Sequence, residues 1–100
     1  LVNLPQVKTI PIADNCYSSR HLYQILVDNR DDILQSFYEN EIFPGVHYWN
    51  NIDYPMYNYA KGTCSKASEI SQKIISLPFH LNLLQTDIQK VVDVLTKALN

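Results

Sequence analysis

The chain has 100 residues, of which 46% are hydrophobic and 18% are charged; this composition is typical of one small globular domain and excludes a disordered chain. Eight basic and ten acidic side chains, mixed along the sequence, give a formal net charge of −2, which excludes the clustered Lys and Arg of a nucleic-acid-binding surface. No apolar run approaches the roughly 18 residues of a membrane span, and no signal-peptide pattern is present. We therefore expect a cytoplasmic protein that binds neither nucleic acid nor membrane.

The first segment, residues 1–19, is predicted to be an extended lead-in or interdomain segment. It contains Pro5 and Pro11, and because proline cannot donate to a central ladder, the apolar stretch from Val7 to Ile12 predicts an edge strand. Residues 20–100 are predicted to form the domain itself. Since the first residue is Leu1 rather than methionine, we expect that part of the protein is missing.

The next elements are a strand, a helix and a second strand. His21 to Val27 is nearly continuous in apolar character, which predicts a strand buried on both faces. Asn29 is the predicted N-cap of a helix that runs to about Asn40. Its apolar face comprises Ile33, Leu34, Phe37 and Tyr38. Val46 to Trp49 then predicts a second strand that runs into a loop.

The second half of the domain ends in a clear amphipathic helix. Residues 50–63 are polar and rich in tyrosine, and their pattern predicts no definite element. Ser65 is the predicted cap of a short helix, and Ile75 to Phe79 predicts an edge strand interrupted by Pro78. For the short helix we expect a shared face of Ala67, Ile70 and Ile74. For the last helix we expect an N-terminal cap at Thr86. Its apolar stripe is predicted to comprise Ile88, Val91, Val92, Leu95 and Leu99.

The order of these elements predicts an α+β fold, a small sheet covered on one face by about three helices. Cys16 and Cys64 stand in no CxxC pattern; a disulfide between them stays open, and two reduced thiols are favoured. The three histidines lack the paired spacing of a structural zinc site, so we expect no metal.

Candidate binding residues cluster after Gly45. His47 can donate a hydrogen bond to a phosphate or hydroxyl, Tyr48 and Trp49 offer flat faces for a ring, and Asn50 adds a polar amide. The alternative is structural: His47 would cap a strand while the two aromatic side chains fill the edge of the core.

A second candidate pair precedes the first strong strand. Arg20 could hold a phosphate through a bidentate contact, next to His21; the alternative is that both are ordinary surface residues. With only two glycines, the chain contains neither GxGxxG nor a P-loop, and no serine stands in a GxSxG nucleophile setting. The sequence therefore shows no self-contained catalytic constellation.

Five short strings in a fixed order resemble the DegT/StrS-type sugar aminotransferases, and with the closing helix from Asp87 the resemblance covers residues 18–100. The strings are Ser19-Arg20-His21-Leu22-Tyr23, Asn29-Arg30-Asp31, Gly45-Val46-His47-Tyr48, Cys64-Ser65-Lys66-Ala67-Ser68-Glu69-Ile70-Ser71 and Ile75-Ser76-Leu77-Pro78-Phe79-His80.

This resemblance implies a fold type I enzyme that depends on pyridoxal phosphate and transfers an amino group, usually from glutamate, to a keto group on a nucleotide-linked sugar. The family's small C-terminal domain closes over the active site, and the large domain carries the Schiff-base lysine and most phosphate ligands. Only the small domain is matched here. We therefore expect a missing N-terminal large domain, a homodimeric parent enzyme, and a chain that alone binds no pyridoxal phosphate and catalyses nothing.

The resemblance makes His47, Tyr48 and Asn50 the substrate-binding candidates, with Arg20 and His21 as further ones. Many members have a proline-rich stretch and a second histidine where this chain has Trp49 to Tyr57. Leu84 replaces the family's threonine cap, which leads us to expect the cap at Thr86. The alternative function is a free-standing α+β binding or interaction module without catalysis.

Overall fold

The sheet has three antiparallel strands in the order β1-β2-β3, in a computed structural model that describes residues 4–100. Strand β1 is Lys8–Thr9, β2 is Tyr23–Leu26 and β3 is Ile74–Leu77. The register pairs Thr9 with Ile25 and Ile25 with Ile75. An edge strand in the lead-in is thus confirmed, although it is only two residues long; residues 1–3 of that lead-in lie outside the described residues.

Within residues 4–100, three α-helices accompany the sheet, and the predicted α+β class is confirmed. Helix α1 is Arg30–Glu39, α2 is Ser65–Ser71 and α3 is Gln85–Leu99. Two 3-10 segments, Asn51–Asp53 and Pro55–Ala60, occupy most of the tyrosine-rich stretch that had no definite prediction. Among the helices within residues 4–100, none is both long enough and apolar enough to cross a membrane. Cys16 and Cys64 are exposed free thiols.

One face of the sheet carries the hydrophobic core, against which α1 and α3 pack. The buried members are Ile25, Val27, Ile33, Leu34, Phe37, Ile42, Ile75, Leu77 and Leu95. Burial of each such side chain stabilises the fold by roughly 1.5–3 kcal/mol before entropy costs. The prediction that β2 is buried on both faces is wrong, because Gln24 and Leu26 on the opposite face are only partly covered.

The predicted apolar faces of the helices are narrower than expected. On α1, Tyr38 is exposed and contacts the ring of Phe43 instead of the core. On α3, only Leu95 is fully buried, and Ile88 is exposed near the N-terminal end of the helix. The core therefore rests on Ile33, Leu34 and Phe37 of α1 and on the C-terminal half of α3.

The predicted caps need correction at all three helices; at α2, Cys64 rather than Ser65 is the N-cap. Helix α1 begins after Asn29 as predicted, but the Asn29 side chain makes no capping hydrogen bond. Helix α3 has Leu84, not Thr86, at its N-cap. The cap remains there because the Asp87 carboxylate accepts a hydrogen bond from the Leu84 backbone N–H at 2.9 Å, so one half of a capping box persists without a hydroxyl.

The predicted shared face of Ala67, Ile70 and Ile74 is also wrong. Helix α2 begins at Ser65, after Cys64 at the N-cap, and buries none of its side chains. It ends at Ser71, and Ile74 already belongs to β3. The turn closes because the Lys73 N–H binds the Ile70 carbonyl at 2.9 Å, while the Lys73 carbonyl accepts from Val27 N–H of the neighbouring chain segment.

The second strand predicted from Val46 to Trp49 is absent from the described residues. Only Gly45 joins the sheet, through an isolated antiparallel bridge to Ser76. The pairing stops there because the carbonyl of His47 accepts its hydrogen bond from the Gln24 side chain, at 2.9 Å, rather than from a strand neighbour. The chain therefore leaves the sheet beside β3, at the start of the candidate binding segment.

Candidate functional site

The imidazole of His47 folds back over Gly45 and contacts β3. The bridge between Gly45 and Ser76 is made by two backbone hydrogen bonds of 3.0 and 2.8 Å. Two residues later, His47 Nδ1 lies 2.8 Å from Ser76 Oγ. A Cβ on residue 45 would lie 2.8 Å from His47 Cε1, closer than real Cβ contacts occur. Glycine at position 45 therefore permits the close approach of this ring, and a larger residue would displace it.

A polar pair on the sheet supports His47 from below. Gln24 and Ser76 are register partners on β2 and β3, on the face opposite the core. Gln24 Nε2 donates to the His47 carbonyl at 2.9 Å and reaches Ser76 Oγ at 3.4 Å. The sequence analysis missed both residues. The available signal was a single polar side chain inside each of two otherwise apolar strands, where burial without a partner would be costly.

Tyr48 and Trp49 are presented to solvent. Their side chains are 74% and 53% exposed, so the alternative that they fill the edge of the core is wrong. The Tyr48 ring meets the edge of the His47 ring at a centroid distance of 5.0 Å. The guanidinium carbon of Arg30 lies 4.9 Å from the centroid of the Trp49 ring, a cation–π geometry.

Arg30 is the other residue that the sequence analysis missed at this site. It opens α1, yet its side chain is only 6% exposed. Nη1 donates to the Ser71 carbonyl at 2.8 Å and to the Ile74 carbonyl at 3.4 Å, and Nε binds Asp31 Oδ1 at 2.7 Å. The sequence carries no signal for this burial, because an arginine in a first helical turn is ordinarily exposed.

Asn50 anchors the far end of the segment. Its Nδ2 donates to Ser68 Oγ of α2 at 2.8 Å, and its Oδ1 accepts from Ile52 N–H at 3.4 Å, which caps the first 3-10 segment. Each amide atom keeps further hydrogen-bonding capacity. Residues 47–50, the presenting segment, are thus held by side-chain hydrogen bonds at both ends, to β2 and β3 on one side and to α2 on the other.

Arg20 and His21 lie apart from the presenting segment, in an open cleft of about 450 Å³. The cleft is lined by residues at the end of β1 and the start of β2 and by Phe79, whose ring lies 6.3 Å from that of Tyr23. Arg20 has a left-handed backbone (φ 55°). Gln24 also lines the cleft and therefore touches both candidate regions, since its side chain binds the His47 carbonyl. His47, Tyr48 and Asn50 do not line it.

The lysines of the chain do not fit a Schiff-base position for pyridoxal phosphate. Five of them, Lys8, Lys61, Lys66, Lys90 and Lys97, are exposed, and none of the six lines the cleft that holds Arg20 and His21. Lys73 is paired with two carboxylates: its Nζ lies 3.2 Å from Asp28 Oδ1 and 3.6 Å from Glu69 Oε1.

The hydrogen bond and charge of Asp28 raise the pKa of Lys73 above its ordinary value. A nucleophilic lysine needs the opposite shift.

Several solved structures with a similar fold are sugar aminotransferases. DesV of S. venezuelae superposes with a TM-score of 0.86 at 20% identity over 99% of this chain and 28% of that chain. TlmJ, an aminotransferase from Streptoalloteichus hindustanus, gives a TM-score of 0.84 at 19% identity over 99% and 28% of the two chains. The sugar aminotransferase CalS13 from Micromonospora echinospora gives 0.83 at 17% identity over 96% and 26%.

The chain thus spans only about a quarter of the length of these structures, and at these identities the likeness shows the fold alone. A comparison with curated protein sequences gave no match. The family model of the DegT/DnrJ/EryC1/StrS aminotransferases, however, matches residues 1–96. The chain therefore belongs to the DegT/DnrJ/EryC1/StrS aminotransferase family.

Proposed function

We propose that this chain is the C-terminal, substrate-closing domain of an aminotransferase that transfers an amino group from glutamate to the keto group of a nucleotide-linked sugar. Family membership and the quarter-length match to larger enzymes support this assignment. In the proposal, residues 20–100 form the small domain, a missing N-terminal large domain supplies the cofactor lysine, and the parent enzyme is a cytoplasmic homodimer. The chain alone is then inactive.

The observation that carries the proposal is the geometry of the presenting segment. Side-chain hydrogen bonds fix both ends of residues 47–50, while the Tyr48 phenol is left largely exposed. A fixed imidazole and a solvent-facing phenol are suited to a substrate rich in hydroxyl and phosphate oxygens, because both groups can donate hydrogen bonds to oxygen. Asn50 contributes its remaining amide capacity, and Arg20 with His21 forms a second, separate contact region.

The cleft offers a surface for the missing large domain. Ile10, Ile12 and Phe79 line it and are exposed, together with Tyr23. Contiguous exposed apolar side chains of this kind mark an interaction surface. Since the matched structures are about four times as long as this chain, the proposed occupant is the remainder of the same polypeptide, and Arg20 at the cleft edge would face the joint active site.

The test is steady-state kinetics of the full-length enzyme. His47→Ala and Tyr48→Phe should raise KM for the keto-sugar by about tenfold each, as expected for loss of one hydrogen bond. The half-reaction with the amino donor should be unchanged. Tyr59→Phe is the matched control, because Tyr59 is exposed on the second 3-10 segment, away from the presenting segment. Equal KM values for all three variants and the wild type would reject the assigned substrate contacts.

Two further observations separate this proposal from a free-standing binding module. Mixed with pyridoxal phosphate, the 100-residue chain should give no stoichiometric change in the visible absorption of the cofactor. The reading frame upstream of Leu1 should encode a domain of roughly 250–300 residues that carries the cofactor lysine. A start codon directly before Leu1 would instead favour the binding module.

A further inference from the structure

We infer that Ser76 and Gln24 are positioning residues that place the proton of the neutral form of His47 on Nε2, so that this form presents a hydrogen-bond donor to an acceptor oxygen of the substrate. The acceptor is a phosphate or hydroxyl oxygen. The substrate half of this inference rests on the proposed function, whereas the position of the proton depends only on contacts within this chain.

The orientation of the Gln24 amide comes first. The atom 2.9 Å from the His47 carbonyl oxygen is Gln24 Nε2. If the amide were flipped, two acceptor oxygens would face each other at that distance, so the hydrogen-bond partner fixes the assignment. The same NH₂ group also points at Ser76 Oγ, at 3.4 Å. Ser76 Oγ therefore faces a group that can only donate.

The proton of the Ser76 hydroxyl then needs an acceptor. Ser76 is 4% exposed, and a buried hydroxyl without an acceptor is costly. Within residues 4–100, the hydrogen-bond partners of its Oγ are Gln24 Nε2 and His47 Nδ1, the latter at 2.8 Å. Since the Gln24 amide nitrogen cannot accept, the hydroxyl must donate to His47 Nδ1.

The tautomer of His47 follows from this direction. A neutral imidazole that accepts at Nδ1 carries its proton on Nε2. The reverse arrangement, Nδ1–H donating to Ser76 Oγ, would leave the buried hydroxyl proton without a partner among the described residues. The order of donation is therefore from Gln24 to Ser76 to His47, which leaves the Nε2–H of the imidazole as a donor not used by these three residues.

The ring is also held in place on its flanks. Gly45 allows the close approach at Cε1, and the Tyr48 ring contacts the imidazole edge-on. The hydrogen bonds of the His47 ring within residues 4–100 involve Nδ1 alone. Nε2–H is then the free donor of a ring whose rotation is restricted. It offers a preorganised hydrogen bond to an acceptor oxygen of a ligand.

Nitrogen NMR of the 100-residue chain tests the proton position without any activity. Long-range proton–nitrogen spectra distinguish the two neutral tautomers, and a His47→Gln spectrum assigns the signals. We expect the Nε2–H form to dominate for His47 in the wild type and in Ser76→Thr, which keeps the hydroxyl, and to lose its dominance in Ser76→Ala. Ser36→Ala is the control, because Ser36 donates to its own helix on α1.

A dominant Nδ1–H form in the wild type would overturn the inference, as would an unchanged tautomer ratio in folded Ser76→Ala. If Ser76→Ala fails to fold, the wild-type spectrum and Ser76→Thr still decide the question.

Isosteric variants of the full-length enzyme test the donor role. The glutamine amide can place a donor near the position of Nε2, and the asparagine amide near that of Nδ1. We therefore expect His47→Gln to keep most of the affinity for the keto-sugar, while His47→Asn raises KM about tenfold. The opposite order would refute the donor assignment.

A phosphate-free keto-sugar used as substrate distinguishes the two acceptors. If His47→Asn also raises KM for this substrate, the acceptor of the His47 hydrogen bond is a hydroxyl oxygen. If KM for this substrate is unchanged, the acceptor is a phosphate oxygen. Unchanged KM in both variants, with the Nε2–H tautomer present, would contradict the proposed function rather than the proton position.

Discussion

Replacement of Arg30 by methionine removes a buried guanidinium that joins three parts of the fold. The methionine keeps an aliphatic stem, so the change isolates the charged head. Arg30 Nη1 binds the carbonyl of Ser71, one of the last carbonyls of α2, which have no partner within the helix. Loss of Arg30 therefore removes two contacts at once: the hydrogen bond to the Ser71 carbonyl at the end of α2 and the cation–π contact with Trp49.

The magnitude follows from the individual contacts. A good hydrogen bond from a charged group, such as the one to Ser71 at 2.8 Å, contributes about 1.5–3 kcal/mol. The 3.4 Å contact to Ile74 adds little. The pair with exposed Asp31 contributes about 0–1 kcal/mol, and the half-exposed Trp49 stack about 0.5–1 kcal/mol. We expect Arg30→Met to lower the free energy of unfolding by about 2–5 kcal/mol.

Urea unfolding measures this difference, with circular dichroism for the whole fold and fluorescence for Trp49, the only tryptophan in the sequence. Arg30→Lys should lose most of the same free energy, because an ammonium cannot reproduce the fork or the stack. Arg20→Met is the matched control, at an exposed arginine, and should stay within about 0.5 kcal/mol of the wild type. An Arg30→Met variant as stable as that control would refute the assigned role.

Three further changes probe other parts of the fold. Gly45→Ala should cost about 1–3 kcal/mol through the clash with His47, and the cost should largely disappear in a His47→Ala background, as a double-mutant cycle of urea midpoints would show. The Asp28 carboxylate raises the pKa of Lys73. The stability that this pair contributes is therefore fully present below the pKa of lysine in the unfolded chain and is lost as pH rises through the pKa of Lys73 in the folded chain. In pH-dependent thermal melts, Lys73→Met should differ from the wild type less at strongly alkaline pH than at neutral pH. Leu95→Ala should destabilise the fold by about 2–5 kcal/mol in the same urea assay, because the side chain is fully buried; a loss below 1 kcal/mol would contradict its place in the core.

Apolar periodicity predicted the elements that the core holds together. Helix α1 and the last helix follow from apolar repeats that include their buried side chains, and the strand around Ile25 follows from a nearly continuous apolar run. Periodicity failed where polar contacts decide the backbone. Nothing in the pattern from Val46 to Trp49 shows that a glutamine side chain takes the carbonyl of residue 47 and ends the strand.

The residues of the candidate site were likewise predicted only in part from the sequence. The presenting segment was located from residue types that suit a sugar substrate, and the side chains of His47 and Tyr48 do lie together. Gln24, Ser76 and Arg30, which hold it, were missed because they contact residues far away in the sequence; Gln24 and Ser76, for example, are 52 residues apart. Long-range pairing of single polar side chains leaves no periodic signal, so only three-dimensional coordinates reveal it.

The two 3-10 segments and α2 contribute no buried side chain. The stretch from residue 51 to residue 63 can therefore be exchanged for one of different length or composition while the core stays intact, as surface loops generally tolerate. The composition of this stretch can therefore change without a compensating change in α1 or α3. For enzyme engineering, this stretch is a graft site whose two ends are already fixed by the amide of Asn50 and the start of α2.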